Sequence, residues 1–268
     1  MLNQVKTLHG YKLNGLDGKI GKIKEFYFDD HYWTIRYLVA DTGNWLTDRQ
    51  VLISPRALGT INKSAQNIAI NLTKKQIEGS PSISSDKPVS RQFEEEYYGY
   101  YSWPMYWAGT EIWGAYPDIP HNDGQPIQTT TEGEKKWDPQ LRSTIAVTGY
   151  AIQAVDGEIG HVDDFIVDDE TWEIRYLVVD TGNWWPGKRI LISPLWIKRI
   201  SWNEANVYVD LSRTTIKQSP EYREGAALNR KYEADLHRHY NFKGYWVDEP
   251  VTKKDSNQRG EVKHDGSN

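Results

Sequence analysis

The chain repeats itself at a fixed spacing of 139 residues, with no insertion or deletion over some ninety positions. Asp17-Gly18-Lys19-Ile20-Gly21 returns as Asp156-Gly157-Glu158-Ile159-Gly160, and Ile35-Arg36-Tyr37-Leu38-Val39 as Ile174-Arg175-Tyr176-Leu177-Val178. Asp41-Thr42-Gly43-Asn44-Trp45 recurs at Asp180 to Trp184, and Leu52-Ile53-Ser54-Pro55 at Leu191 to Pro194. Between Asp17 and Pro55, 22 of 39 positions are identical after the shift. The register extends outward from Gly10-Tyr11 against Gly149-Tyr150 to Tyr106-Trp107 against Tyr245-Trp246. A pattern of this length requires two copies of one folding unit, each about a domain in size, and 268 residues suffice for both.

Within one unit the signals are those of short strands. Lys19 to Phe28 and Trp33 to Ala40 are rich in Ile, Phe, Tyr, Trp and Val, and Asp29-Asp30 between them marks a hairpin tip. Ile35, Tyr37 and Val39 fall on one face of the second arm, with Arg36, Leu38 and Ala40 on the other. Asp41-Thr42-Gly43-Asn44 has turn chemistry. Val51 to Ser54, Leu58 to Ile61 and Ile68 to Leu72 read as three more strands. Thr73-Lys74-Lys75-Gln76 has capping-box spacing ahead of a short helix that Gly79 and Pro81 end, and Ser212 to Thr215 is a weaker version. Further helices are expected at Ser90 to Tyr98 and at Gly225 to His239. Five or six short strands with tight turns predict a small closed or nearly closed antiparallel barrel in each unit, followed by a short helical extension.

Composition bounds the function classes. The absence of cysteine excludes a disulfide framework, thiolate zinc sites and a cysteine nucleophile. The start lacks the apolar stretch of a signal peptide and no apolar run approaches a membrane helix, so a soluble cytoplasmic protein is expected. Charge is unevenly placed: residues 1 to 78 carry 11 basic and 7 acidic side chains, whereas 146 to 220 carry 7 and 11. Such asymmetry can orient the units against each other or against a charged surface. Twelve tryptophans and seventeen tyrosines cluster, most densely over Tyr97 to Pro117. These rings either staple onto the preceding barrel, as the echo at Tyr240, Phe242, Tyr245 and Trp246 suggests, or form a partner surface.

The progression from Gly18-Lys19-Ile20-Gly21 through Asp41-Thr42-Gly43-Asn44-Trp45 to Ile53-Ser54-Pro55, present in both units, resembles the PRC-barrel family, named for the cytoplasmic domain of the photosynthetic reaction-centre H subunit. The resemblance covers about 75 residues per unit. It implies that the Ile-Ser-Pro element closes a barrel, and that the chain is a docking module of bacterial type. The family also occurs in a ribosome-maturation factor and in small stand-alone proteins. This chain lacks the membrane helix of the one and the second domain type of the other.

The duplication tests each candidate for chemistry. Histidines do not recur: His31 is matched by Glu170, Lys22 by His161, and His237 and His239 by Tyr98 and Tyr100. No general base is therefore common to both units. Ser54 and Ser193 recur without a Gly-x-Ser-x-Gly elbow. Asp29-Asp30, Asp168-Asp169 and Asp163-Asp164 lack the spacing of an oxygen-ligand cation loop and read as turn acids. Gly15, Gly18 and Gly21 lack the spacing and the Lys-Ser/Thr of a phosphate loop. Arg36 and Arg175 sit mid-strand and are expected to pair with Asp41 or Asp29 and their counterparts. An anion site on the guanidinium fork is the alternative. Trp45 and Trp184, with Trp185, read first as plugs at a barrel end.

The sequence thus predicts a mainly β protein: barrel 1 over 1–81, a helical and aromatic extension over 82–117, a polar linker over 118–140, barrel 2 over 141–220, its extension over 221–247, and a disordered tail over 248–268. The expected role is non-enzymatic protein interaction or assembly, without catalytic, cofactor or metal residues and without nucleic acid. Contact residues would be Tyr100, Tyr101, Trp103, Tyr106 and Trp107, on a protein partner, a homo-oligomer, or a pseudo-dimer of the two units. A stress-related small-ligand or anion-binding protein using Arg36 and Arg175 is the alternative, and a ribosome or RNA-particle adaptor the third reading.

Overall fold

Alternation of exposed lysines with buried Ile and Phe continues from Gly18 to Asp29, and that run forms one twelve-residue strand around which its repeat is built. The computed structural model describes residues 1–46, 51–81, 89–108, 141–182, 188–225 and 228–247. The 118–140 linker, the 248–268 tail, and Trp184 and Trp185 lie outside them. In the first repeat the order is β1 (Leu2–Gln4), α1 (Val5–Leu8), β2 (Lys12–Gly15), β3 (Gly18–Asp29), β4 (Thr34–Asp41), β5 (Val51–Ile53), β6 (Leu58–Asn62), β7 (Asn67–Ile70), α2 (Lys74–Glu78) and α3 (Arg91–Tyr100). The second repeats it as β8 (Leu141–Ser143), α4 (Thr144–Val147), β9 (Ala151–Ala154), β10 (Gly157–Asp168), β11 (Ile174–Asp180), β12 (Arg189–Ile192), β13 (Ile197–Ser201), β14 (Asn206–Val209) and α5 (Arg213–Lys217). α6 (Arg230–His239) belongs to a separate compact unit over 228–268.

Local chemistry explains these boundaries. Thr73 accepts the Gln76 N–H at 3.2 Å while the Gln76 side chain accepts the Thr73 N–H at 2.9 Å, so the capping box opens α2. Gly21 lets β3 pass the end of β4: a Cβ there would lie 2.1 Å from the Asp41 carbonyl oxygen, and one at Gly160 would lie 2.0 Å from that of Asp180. Ser54 and Ser193 each cap a 3₁₀ turn begun by the following proline. These serines are architectural.

Each repeat is the frame of one seven-stranded sheet, whose pairing departs from a purely antiparallel meander. The paths run β5-β4-β3-β2-β7-β6 and β12-β11-β10-β9-β14-β13, and among the described residues no ladder joins the end strands. The Ser54-Pro55 and Ser193-Pro194 turns link those ends covalently, with a 3₁₀ turn where a ladder was expected. Nor are the sheets wholly antiparallel, because β2 pairs with β7, and β9 with β14, in parallel. A parallel pair needs a long crossover, which β3 to β6 supply in the first repeat.

The seventh strand of each sheet comes from the other repeat. β3 is three times as long as β2, so β2 covers only its first part, and the edge beyond would be left as unpaired N–H and C=O groups. β8 fills that edge, pairing Leu141, Arg142 and Ser143 with Asp29, Phe28 and Tyr27. β1 does the same for β10, pairing Leu2, Asn3 and Gln4 with Asp168, Val167 and Ile166. The two exchanges are related by the 139-residue spacing, so they obey a pseudo-twofold. Its centre is the bridge between Thr34 and Glu173, flanked by Ile35 N–H donating to the Trp172 carbonyl at 2.8 Å and Ile174 N–H to that of Trp33 at 2.6 Å. Phe28 stacks on Trp33 and lies tilted against Phe165, and Phe26 stacks on Trp172, which makes the seam aromatic. The two repeats interlock through these exchanged strands.

Candidate interaction sites

The recurring acids find their role at this seam. In the Asp29-Asp30 pair the first carboxylate holds its own repeat's arginine and the second holds the other repeat's arm. Asp29 accepts from Arg36 Nε at 3.2 Å and Nη2 at 3.0 Å, and from the His31 and Tyr32 N–H groups that close the hairpin. Asp30 takes Arg142 of β8 at 2.9 Å. In the second repeat Asp168 faces Arg175 at 3.5 Å and Asp169 takes the Asn3 side chain of β1 at 2.9 Å. The sequence signal was adjacency of two acids at both hairpin tips; their division of labour depends on strands more than a hundred residues away.

Arg36 and Arg175, the candidate anion sites, both carry carboxylates. Arg36 is fully buried, its guanidinium bonded to Asp29 and stacked 3.9 Å over the Tyr106 ring. Arg175 bonds Glu173 at 2.8 Å and Asp168 at 3.5 Å. Asp41, also considered as a partner, instead accepts the Gly43 N–H at 3.0 Å in its turn. Both guanidinium groups are thus engaged by carboxylates, Arg36 through Nε and Nη2 and Arg175 through Nη2.

The aromatic segment packs on the first repeat around one carboxylate that sequence reasoning did not single out. Glu94, buried on α3, accepts from Tyr106 at 2.7 Å and Tyr37 at 3.2 Å and pairs with Arg91 at 2.9 Å. Burial outweighs the pull of Arg91 and of the two phenols, and the Glu94 carboxyl is pushed up to about 7. Tyr97 donates to the Leu52 carbonyl at 3.0 Å and accepts the Ser54 N–H at 3.2 Å. Burial drives the phenols of Tyr37, Tyr97 and Tyr106 upward and that of Tyr98 to about 12, so all four stay protonated. The available signal was the recurrence of Arg91, Glu94 and Tyr106 at the common spacing. In the separate 228–268 unit, Arg230 bonds Glu233 at 3.2 Å, Tyr245 donates to Glu233 at 2.8 Å, and Arg230 lies 4.3 Å over Trp246. Those contacts are the counterparts of Arg91, Glu94, Tyr106 and Trp107, where Arg91 lies 4.2 Å over the indole.

The five expected contact residues therefore divide. Tyr106 is buried inside this network, which withdraws it from any partner. Tyr101, Trp103 and Trp107 are half-buried, with Tyr101 and Trp103 stacked at 4.5 Å. Tyr100 is 44 % exposed and donates to the Gln76 carbonyl at 3.0 Å, and it borders a groove of about 470 Å³ with Thr73, Lys75, Gln76, Glu78 and Gly79.

A second concavity lies on the seam, about 230 Å³, between Val5, Lys6 and His9 of one arm and Thr144, Ile145 and Thr148 of the other, with Asp164 and Phe165 at its base. Asp164 reaches across to accept the Lys6 N–H at 3.1 Å, capping α1 from the opposite repeat. Burial raises its carboxyl to about 7 against the backbone N–H groups of Phe165 and Lys6 and the Lys6 ammonium. His9 stacks on Phe26 at 5.8 Å, and burial keeps its imidazole below the usual range. His31 is exposed at its hairpin tip. Of these histidines, neither has a counterpart in the other repeat.

Residues 147–214 match the PRC-barrel domain family, a span that runs from the end of α4 into α5. An uncharacterised protein of Deinococcus radiodurans is 38 % identical over 83 residues, covering 30 % of this chain and 29 % of that protein. No described helix is long and apolar enough to cross a membrane. The second repeat thus carries the match to the PRC-barrel domain, and the first repeat folds with the same strand order.

Proposed function

We propose that the chain is a non-enzymatic assembly module of the cytoplasm, a rigid pseudo-symmetric pair of PRC-type sheets that docks a protein partner on the first repeat. The observation that carries this reading is the exposed edge of an otherwise buried aromatic network. Tyr100 stands 44 % exposed beside a groove, on a helix whose remaining tyrosines are anchored. A ring that is held on one side and open on the other gives stiff contact area at little entropic cost. The partner-contact set is Tyr100 with the half-buried Tyr101, Trp103 and Trp107.

The test is capture of partners from native cells with the wild-type chain, Tyr100→Ala and Trp107→Ala. Tyr100→Ala should release the bound protein while leaving the thermal midpoint within about 2 °C, as expected of an exposed side chain. Retention of the same partner by Tyr100→Ala would sink the proposal.

A further inference from the structure

The two repeats use one scaffold and dress one face of it with opposite charge. On β2 and β3, Lys12, Lys19, Lys22 and Lys24 are all exposed. A bulge at Ile20 sets Lys19 and Lys22 on the same side although they are three apart, and Lys24 follows at the next outward position. The equivalent positions on β9 and β10 are Ala151, Glu158, His161 and Asp163. The fold therefore does not ask for lysine at any of the four. Register even places Lys12 directly opposite Lys22, a like-charge pair that costs stability in a sheet. Among the described residues none of the four is ion-paired. The acids bordering the face are engaged elsewhere, Asp17 on the Lys74 N–H at 2.9 Å and Asp41 on the Gly43 N–H at 3.0 Å.

We infer that this face of the first repeat, Lys12, Lys19, Lys22 and Lys24 with Leu16 at the hairpin tip, rests on an anionic lipid surface. Leu16 is 69 % exposed in the turn that leads into β3, an apolar tip beside four cations. No arginine is among the face residues. Lysine is a hydrated point charge, suited to mobile, hydrated headgroups, whereas a fixed carboxylate or phosphate is gripped better by the arginine fork. Trp45, which borders the face beside Lys19 and Lys22, is held by its indole N–H on the Ile20 carbonyl at 2.6 Å, with the Lys74 ammonium 5.4 Å from the ring. β2, which carries Lys12, is paired on one edge with β3 and on the other with β7, so a peptide cannot add to it as a further strand. This inference stands apart from the aromatic docking surface, which involves none of these residues.

The experiment sediments the full chain with vesicles of phosphatidylcholine alone and of an equimolar phosphatidylcholine and phosphatidylglycerol mixture over a salt series. Binding is expected to the anionic vesicles only, falling as salt rises. Writing the second repeat's residues into the first, Lys12→Ala, Lys19→Glu, Lys22→His and Lys24→Asp, should weaken partition about fivefold per lysine and several-hundredfold together. Should that chain lose its fold, the facing pair alone, Lys12→Ala with Lys22→His, should still weaken binding about 25-fold. Leu16→Ser should lower affinity severalfold and leave the salt dependence unchanged. Equal binding to both vesicles, indifference to the lysine substitutions, or capture of an acidic protein or nucleic acid by these lysines without vesicle binding would each overturn the inference.

Discussion

The Asp29–Arg36 pair of the first repeat and the Asp168–Arg175 pair of the second occupy identical places in the strand order and differ in how completely they are sealed. Arg36 is fully buried, forks onto one carboxylate and lies under the Tyr106 ring. Arg175 is 8 % exposed and divides its bonds between Asp168 and Glu173, the residue that forms the seam bridge with Thr34. One ion pair is thus part of a core and the other part of an interface between repeats. Over Arg36 the covering ring is Tyr106, supplied by the aromatic segment.

That contrast is open to attack by truncation. Arg36→Ala would leave the Asp29 carboxylate buried without its cation, and should cost about 3–5 kcal/mol. Arg175→Ala leaves its acids at a surface they share with water, and about 1–2 kcal/mol is expected. Denaturant unfolding followed by tryptophan fluorescence measures both. Equal losses would show that position in the strand order, and not the cover, sets the value of the pair.

The same contrast shows what could be read from the chain before its fold was known. Hairpin arms, the capping box at Thr73 and the pairing of each strand arginine with a hairpin acid all follow from residues fewer than ten apart, where propensity and register leave few options. The parallel β2–β7 pair and the exchanged arms did not follow. Leu2 to Gln4 and Leu141 to Ser143 are three residues each, too short to show alternation, and their partners are fixed by the edge that β2 and β9 leave open. A run of short strands is common to barrels and open sheets, and only a ladder between the end strands separates them, so closure is not legible in the sequence. For the candidate sites, the sequence placed the rings but not their depth: Tyr100 and Tyr106 look alike until the Glu94 network buries one of them.

Asp164 and its counterpart Glu25 sharpen the comparison across the seam. Glu25 accepts the Ser143 hydroxyl at 2.6 Å, whereas Asp164 is buried on the Lys6 N–H with the Asp163 carboxylate and the Lys6 ammonium nearby. Its folded pKa of about 7 lies above the ordinary 3.8, so the folded state holds the proton more tightly than the unfolded chain. The burial penalty on the carboxylate is absent below the unfolded value, grows as pH rises between the two values, and is complete above about 7. Asp164→Asn should therefore raise stability relative to wild type in mildly alkaline buffer, by at most about 4 kcal/mol, and lose that advantage in acid. Urea midpoints over a pH series measure the difference. A constant offset between the two chains at every pH would mean that Asp164 does not titrate in this window.

The smallest effect expected comes from the two arms themselves. α4 is capped within its own repeat, since the Ser143 hydroxyl accepts the Ile145 and Ala146 N–H groups at 3.2 and 3.3 Å. Gln4 at the same place ahead of α1 offers no side-chain cap, and Asp164 of the other repeat takes over. Ser143→Ala removes a cap and the hydroxyl bonded to Glu25, and about 1 kcal/mol should be lost; Gln4→Ala removes neither, and a change below about 0.5 kcal/mol is expected. Combining Gln4→Ala with Asp164→Asn tests whether capping has moved across the seam: the pair should behave as Asp164→Asn alone, because Gln4 contributes nothing that Asp164 lacks. If Gln4→Ala proved the costlier of the two arm substitutions, the pseudo-twofold would hold for backbone pairing but fail for the way each arm is fastened.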